Sequence, residues 1–355
     1  MVAWTWLIPS LSLALLAGAI LVGVGALLAL VCAIALVGAV LAAVHHAEVV
    51  AHRVGEPFGT LVLAVAVTVI EASLILSILF SANEGAAVLP RDTIYAAVMI
   101  ICNGVVGICV LLGGLAHHEQ SFRVEGSSAG LAALIAMSAL VLVLPDFTTS
   151  TPSGTYSGSQ LAFAAVVSAA LWAEFVFIQT VRHRDYFLPV GDASNAEAHA
   201  APPTNRAAWA SFGLLLVSLV AVVGLAKALS PSIERAVAAA GAPEAVLGIV
   251  IAMLVLLPET WAAVRAARAN RLQTSMNLAI GSALASIGLT IPVVAVTAIV
   301  FHVPLVLGLE PKDLVMLALT FLVSAVTLGT GRTHMMQGAV HLVIFATFLF
   351  LAFVP

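Results

Sequence analysis

The sequence predicts an all-α polytopic membrane protein of about 11 transmembrane helices: two inverted five-helix repeats plus an extra N-terminal helix. Three observations carry this. The chain of 355 residues is 62% hydrophobic and only 8% charged, against roughly 25% charged in soluble domains, and its mean hydropathy is +1.17. The apolar runs continue for about twenty residues without the alternation of a membrane β-strand, so only helices satisfy their backbone. Each half of the chain carries one glutamate deep in such a run, Glu71 and Glu259.

Breaks at Gly, Pro or charge give the elements in order. Six helices are expected near 5–24, 27–50, 57–82, 93–116, 127–146 and 158–182. Gly23 and Gly25 alone divide the first two. Residues 7–30 lack the basic start and cleavage site of a signal peptide, so they are read as retained helix. Five more helices are expected near 207–227, 244–268, 272–300, 313–331 and 335–354. The polar stretch between Arg182 and Ala207, with Asp185, Asp192, Glu197, Pro202 and Pro203, is the linker. The organisation is then residues 1–25 as the extra helix, 26–182 as the first half, 183–206 as the linker and 207–355 as the second half.

An odd number of helices per half makes the halves enter the membrane in opposite senses, as in many secondary transporters. Residues 55–116 should then superpose on 243–300, with the two carboxylates within about 10 Å near mid-bilayer. Arg53, Arg123, Arg182, Arg184, Arg206, Arg265, Arg268, Arg271 and Arg332 fall in loops on the N-terminal side. Arg91, Lys227, Arg235 and Lys312 fall on the other. This bias puts the N-terminus and the linker in the cytoplasm.

A carboxylate at bilayer depth costs roughly 2.5–3.5 kcal/mol on insertion scales, so function is the first explanation for Glu71 and Glu259. Hard cations need several oxygens. Beside the two carboxylates, Thr68, Asn103, Asn277 and Ser282 are the candidate ligands, on helices whose small residues allow close approach. A carboxylate out of water takes either a cation or a proton, since either neutralises it. That competition is the minimum an antiporter needs. The alternative for Glu71 is a local interhelical hydrogen bond. For Glu259 it is an interfacial position near Arg265 and Arg268.

The stretch HHAEVVAHR, residues 45–53, sets His45, Glu48 and His52 on one helical face. His45 and His52 lie about 10 Å apart along the axis, too far to share one metal ion. A snorkelling interfacial face is the plainer reading. The alternatives are a proton or cation path over His46, Glu48 and His52, with His341 as a relay, or a metal site serving an intramembrane enzyme or sensor. His341 also reads as a packing histidine, and Glu174 as an interfacial carboxylate. Cys32, Cys102 and Cys109 sit in apolar runs and read as packing residues. No basic run points to nucleic acid. The partners expected are the lipid bilayer and the transported ions.

Residues 45–75, HHAEVVAHRVGEPFGTLVLAVAVTVIEASLI, residues 256–295, LLPETWAAVRAARANRLQTSMNLAIGSALASIGLTIPVVA, and residues 331–346, GRTHMMQGAVHLVIFA, resemble bacterial ChaA-type antiporters of the cation/calcium exchanger superfamily. The resemblance covers nearly the whole chain. It implies ten core helices in inverted repeats, with Glu71 and Glu259 in place of the acidic residues of the α-repeats. It also implies export of Ca²⁺, Na⁺ or K⁺ in exchange for H⁺ across a bacterial inner membrane, with no cofactor. The wider calcium/proton exchanger motif has Asn three residues before the glutamate, where this chain has Thr68 and Leu256. His usually follows the second glutamate, where Thr260 stands here. Fewer side-chain oxygens turn the expectation toward the monovalent ions.

Overall fold

The structure is a computed structural model. It describes residues 4–55, 58–80, 85–188, 203–239, 241, 243 and 245–354. The linker residues Asp192, Glu197 and His199 lie outside the described residues.

Eleven long helices run through the described residues. They are α1 (Trp4–Val22), α2 (Ala26–Val54), α3 (Phe58–Leu79), α4 (Leu89–His117), α5 (Val124–Asp146) and α6 (Gly158–Arg182), then α7 (Asn205–Ala239), α8 (Ala245–Arg268), α9 (Leu272–Phe301), α10 (Pro311–Leu328) and α11 (Met335–Phe353). All except α3 are long and apolar enough in their described parts to cross a membrane. α3 carries the apolar stretch Ala64–Ser77. Large apolar side chains such as Ile20, Leu27, Val220, Trp261 and Leu322 are exposed on the helix surfaces, as lipid-facing residues must be.

Local chemistry sets the ends. α2 stops where Gly55 takes φ 76°, a conformation that costs glycine little. Ser157 opens α6 with a capping box: its backbone N–H donates to Gln160 Oε1 at 2.9 Å, and its hydroxyl accepts from Gln160 N. His334 opens α11: its backbone N–H donates to Gln337 Oε1 at 2.9 Å, and its Nδ1 accepts from Met336 N at 3.3 Å. The seventh helix departs from expectation. It runs on through Pro231 to Ala239 instead of ending near 227. A proline removes only one donor from the ladder, and Arg235 Nε binds the Pro231 carbonyl at 2.9 Å.

The helices form two compact units, and each draws on both halves of the sequence. The first holds residues Met1–Leu89 and Ala201–Val255. Within it α2 packs on α1, α3 and α7. Its core includes Leu36, Ala43, Ile70, Leu74, Val222 and Leu225. Gly224 leaves room for the Leu16 side chain of α1.

The second unit holds residues Pro90–Ala200 and Leu256–Pro355. Here α9 packs on α5 and α6, while α4 packs on α11. A Cβ at Gly107 would stand 3.0 Å from Leu342 Cγ and 3.1 Å from His341 Cβ, so glycine is what brings α4 and α11 together. At one end two short strands, β1 (Glu119–Ser121) and β2 (Arg332–His334), pair antiparallel with Gln120 opposite Thr333. Gln120 is buried and donates to Ala267 O at 2.9 Å and Asn270 Oδ1 at 3.0 Å, which fastens this clasp to the end of α8.

Candidate functional site

In the first unit, Glu71 lies in the middle of α3 and is only 2% exposed. Its neighbours Val67, Ile70 and Leu74 belong to the unit's apolar core. Thr68 is buried as well, one helical turn before Glu71. Residues three apart share a helix face, so hydroxyl and carboxylate line one stripe of α3.

In the second unit, Glu259 is half-buried on α8. Pro258, directly before it, cannot donate to the carbonyl one turn earlier. Thr260 turns its hydroxyl to the Leu256 carbonyl at 2.7 Å. Glu259 faces a cleft of about 10 Å³ lined by Ile101, Val105, Leu256, Thr260, Ala279 and Ser282. That is room for about one water or one bare cation. Ser282 thus shares a cleft with the second glutamate. A cavity of about 480 Å³ lies at the far end of α9, lined by residues that include Tyr156, Leu161, His302 and Val306. Among the described residues no carboxylate lines it.

The two asparagines are held elsewhere. Asn277 donates to the Phe187 carbonyl at 2.6 Å and accepts from Gln273 Nε2 at 2.8 Å. Asn103 sits in a π-helical turn of α4, Ile100–Val105, and donates from Nδ2 to Thr320 Oγ1 at 2.9 Å. Its Oδ1 meets His341 Nδ1 at 3.3 Å, and His341 Nε2 meets Thr327 Oγ1 at 3.0 Å. Sequence reasoning missed Thr320 and Thr327. They are seven residues apart on α10, a spacing that puts them on one face, and that was the available signal.

The histidine cluster on α2 is divided between packing and surface. His46 is buried and bonds through Nε2 to the Thr5 carbonyl of α1 at 2.6 Å. His45 lies against Trp4 with ring centroids 5.2 Å apart. Glu48 and His52 are exposed. Among the described residues no three His, Cys, Asp or Glu groups stand close enough to hold one metal ion. Glu174 is exposed on α6.

The sodium/calcium exchanger protein family matches residues 24–181 and again residues 210–354. The Sinorhizobium fredii protein y4hA, by name an ionic transporter, is 48% identical over 355 residues, covering 99% of this chain and 96% of its own. The sodium-potassium/proton antiporter ChaA of Escherichia coli is 35% identical over 312 residues, 87% of this chain and 84% of its own. The structure of native YfkE superposes with a TM-score of 0.74 at 17% identity, over 99% of this chain and 100% of that one. The H⁺/Ca²⁺ exchanger CAX gives 0.71 at 15%, over 98% and 87%. At such identities the two structures speak for the fold alone. Family, fold and apolar spans together place this chain: it belongs to the sodium/calcium exchanger protein family and is an inner-membrane transporter, not an enzyme.

Proposed function

We propose that the protein is a cation/proton antiporter that expels Ca²⁺, Na⁺ or K⁺ from the cytoplasm as protons enter. The observation that carries this is a glutamate buried to 2% exposure in an apolar helix, with a second glutamate facing a cation-sized cleft. Each lies in one of the two segments that the same family matches, which supports two repeats; an odd number of helices in each would invert one against the other. The names of the relatives, sodium-potassium/proton and calcium/proton antiporters, point the same way.

In this reading cation and protons alternate at Glu71 and Glu259 while helix bundles rock to open the site to either side. Thr68 and Ser282 add hydroxyl oxygens. Asn103 and Asn277 join only by releasing Thr320 and Phe187. Glu48 and His52, on the exposed face of α2 beside His46, form the access path from the cytoplasm, where the N-terminus and the linker lie. The test is proton counterflow in inside-out vesicles on separate addition of Ca²⁺, Na⁺ and K⁺. Proton release from the lumen with at least one ion is expected. Cation flux without proton movement would replace the exchanger with a channel.

A further inference from the structure

Asn103 stands in the π turn of α4 between Ile101 and Val105, two residues that wall the Glu259 cleft. A π turn has poorer internal hydrogen bonding than an α-helix and recurs at functional sites. Its shape therefore depends on what holds it from outside. Here the holders come from α10 and α11. The amide of Asn103 donates to Thr320 Oγ1, and the Thr320 hydroxyl donates to the Met316 carbonyl at 2.8 Å. The carboxamide oxygen of Asn103 faces His341 Nδ1, and His341 Nε2 faces Thr327 Oγ1. Asn103, Thr320 and His341 are 0% exposed and Thr327 2%. Gly104 admits the Phe345 ring and Gly107 the backbone side of His341, so the imidazole reaches the turn only because glycine lines its approach.

Asn103 Oδ1 can only accept, which fixes one of these bonds. Nδ1–H of His341 donates to Asn103 Oδ1, while Nε2 and the Thr327 hydroxyl share a second bond. An amide oxygen is too weak a base to take the proton, so the chain of bonds ends at Asn103. We propose that His341, with Thr320 and Thr327, is a clamp that fixes the π turn of α4 and thereby sets the width of the Glu259 cleft. His341 is a positioning residue, not a proton carrier. The role rests on the reading of that cleft as part of the cation site.

The test uses the full chain in liposomes, with Ca²⁺, Na⁺ and K⁺ as probes. His341→Leu removes both bonds. It should raise the KM for the transported ion about tenfold with little change in maximal rate, the effect of losing about one buried hydrogen bond. His341→Gln can still donate and accept, and should stay within about threefold of wild type. Thr327→Val covers the case in which the leucine variant fails to fold, with the same sign and a smaller effect. A second readout is independent of transport: alkylation of Cys102, buried in the π turn, by N-ethylmaleimide, localised by mass spectrometry. It should speed up at least about fivefold in His341→Leu and not in His341→Gln.

Loss of transport in both His341 variants, with Cys102 protected in both, would make His341 a proton carrier and overturn the clamp. Wild-type KM and wild-type alkylation in His341→Leu would overturn it as well. If Glu259→Gln still exchanges ions, the cation site is elsewhere and the functional reading fails. The alkylation of Cys102 then still decides whether the clamp exists.

Discussion

Gly338→Ala is the sharpest structural test. Gly338 lies in the second turn of α11, where that helix crosses α4. A Cβ there would stand 2.8 Å from the Gly107 carbonyl oxygen and from Leu111 Cα, and closer still to Leu111 N. Ordinary contact begins near 3.4 Å, and all three neighbours are backbone, so no side chain can swing away. The helices must part by about 1 Å or the backbone must bend. Overpacking of this kind costs roughly 1–3 kcal/mol. Parting also stretches the 3.3 Å bond between His341 and Asn103 past useful length, a further loss of about 1 kcal/mol. Alanine returns about 1 kcal/mol through its better helix propensity. The net is about 1–3 kcal/mol, a fall of roughly 2–8 °C in the thermal midpoint.

The control has the opposite sign. A Cβ at Gly213 of α7 meets nothing within 4 Å. Gly213→Ala should therefore keep the midpoint or raise it by roughly 1–3 °C. Both are measured by intrinsic fluorescence on heating the purified protein in one detergent. Equal midpoints for Gly338→Ala and wild type, with Gly213→Ala also unchanged, would refute the close crossing of α4 and α11.

Glu71→Gln should express and fold like the wild type yet exchange ions below about a tenth of its rate, since it keeps the shape and removes the charge and the proton; faster exchange in liposomes would take Glu71 out of the mechanism. Apparent cation affinity should weaken as pH falls, because protons fill the same oxygens, by about tenfold per pH unit for each proton displaced. The slope of affinity against pH then reports stoichiometry for the coupled pair of carboxylates, and a flat line between about pH 6 and 9 with transport intact would remove the competition. Gln120→Leu strands the acceptors at the end of α8 and should cost about 1–3 kcal/mol of stability; an unchanged thermal midpoint would mean that the clasp does not brace that helix.

The helices were legible in the sequence because membrane insertion writes them locally. An apolar run of about twenty residues has one solution in lipid, whatever packs beside it. Glu71 and Glu259 were legible for the same reason: a charge stands out against such a run. Pro231 misled because proline reads as a stop in water, yet a long helix carried by its neighbours runs through it. The π turn was not legible. IICNGV differs from ordinary apolar helix only in Asn103 and Gly104, and the partners that hold it lie 217 and 238 residues away. His45, Glu48 and His52 share one face of α2 in the sequence, which hides what His45 and its neighbour His46 touch. Their actual partners, Trp4 and Thr5, come from another helix, and no spacing within α2 reveals that. Nor did the halves of the sequence foretell the compact units, since each is assembled from both.

The 238 residues between Asn103 and His341 also have a meaning in time. At about 5–20 residues per second, a ribosome that has finished α4 needs roughly 10–50 s to deliver α11. Through that interval the amide of Asn103 already sits in the bilayer while its imidazole partner has not been made. Thr320 arrives little sooner, so the π turn of α4 is a late structure, closed near the end of synthesis. The strand Glu119–Ser121 waits just as long for Arg332–His334. Assembly of the second unit is thus gated by its last helix, and a nascent chain halted before residue 335 would present a polar seam within the membrane, the kind of feature a quality-control protease can read.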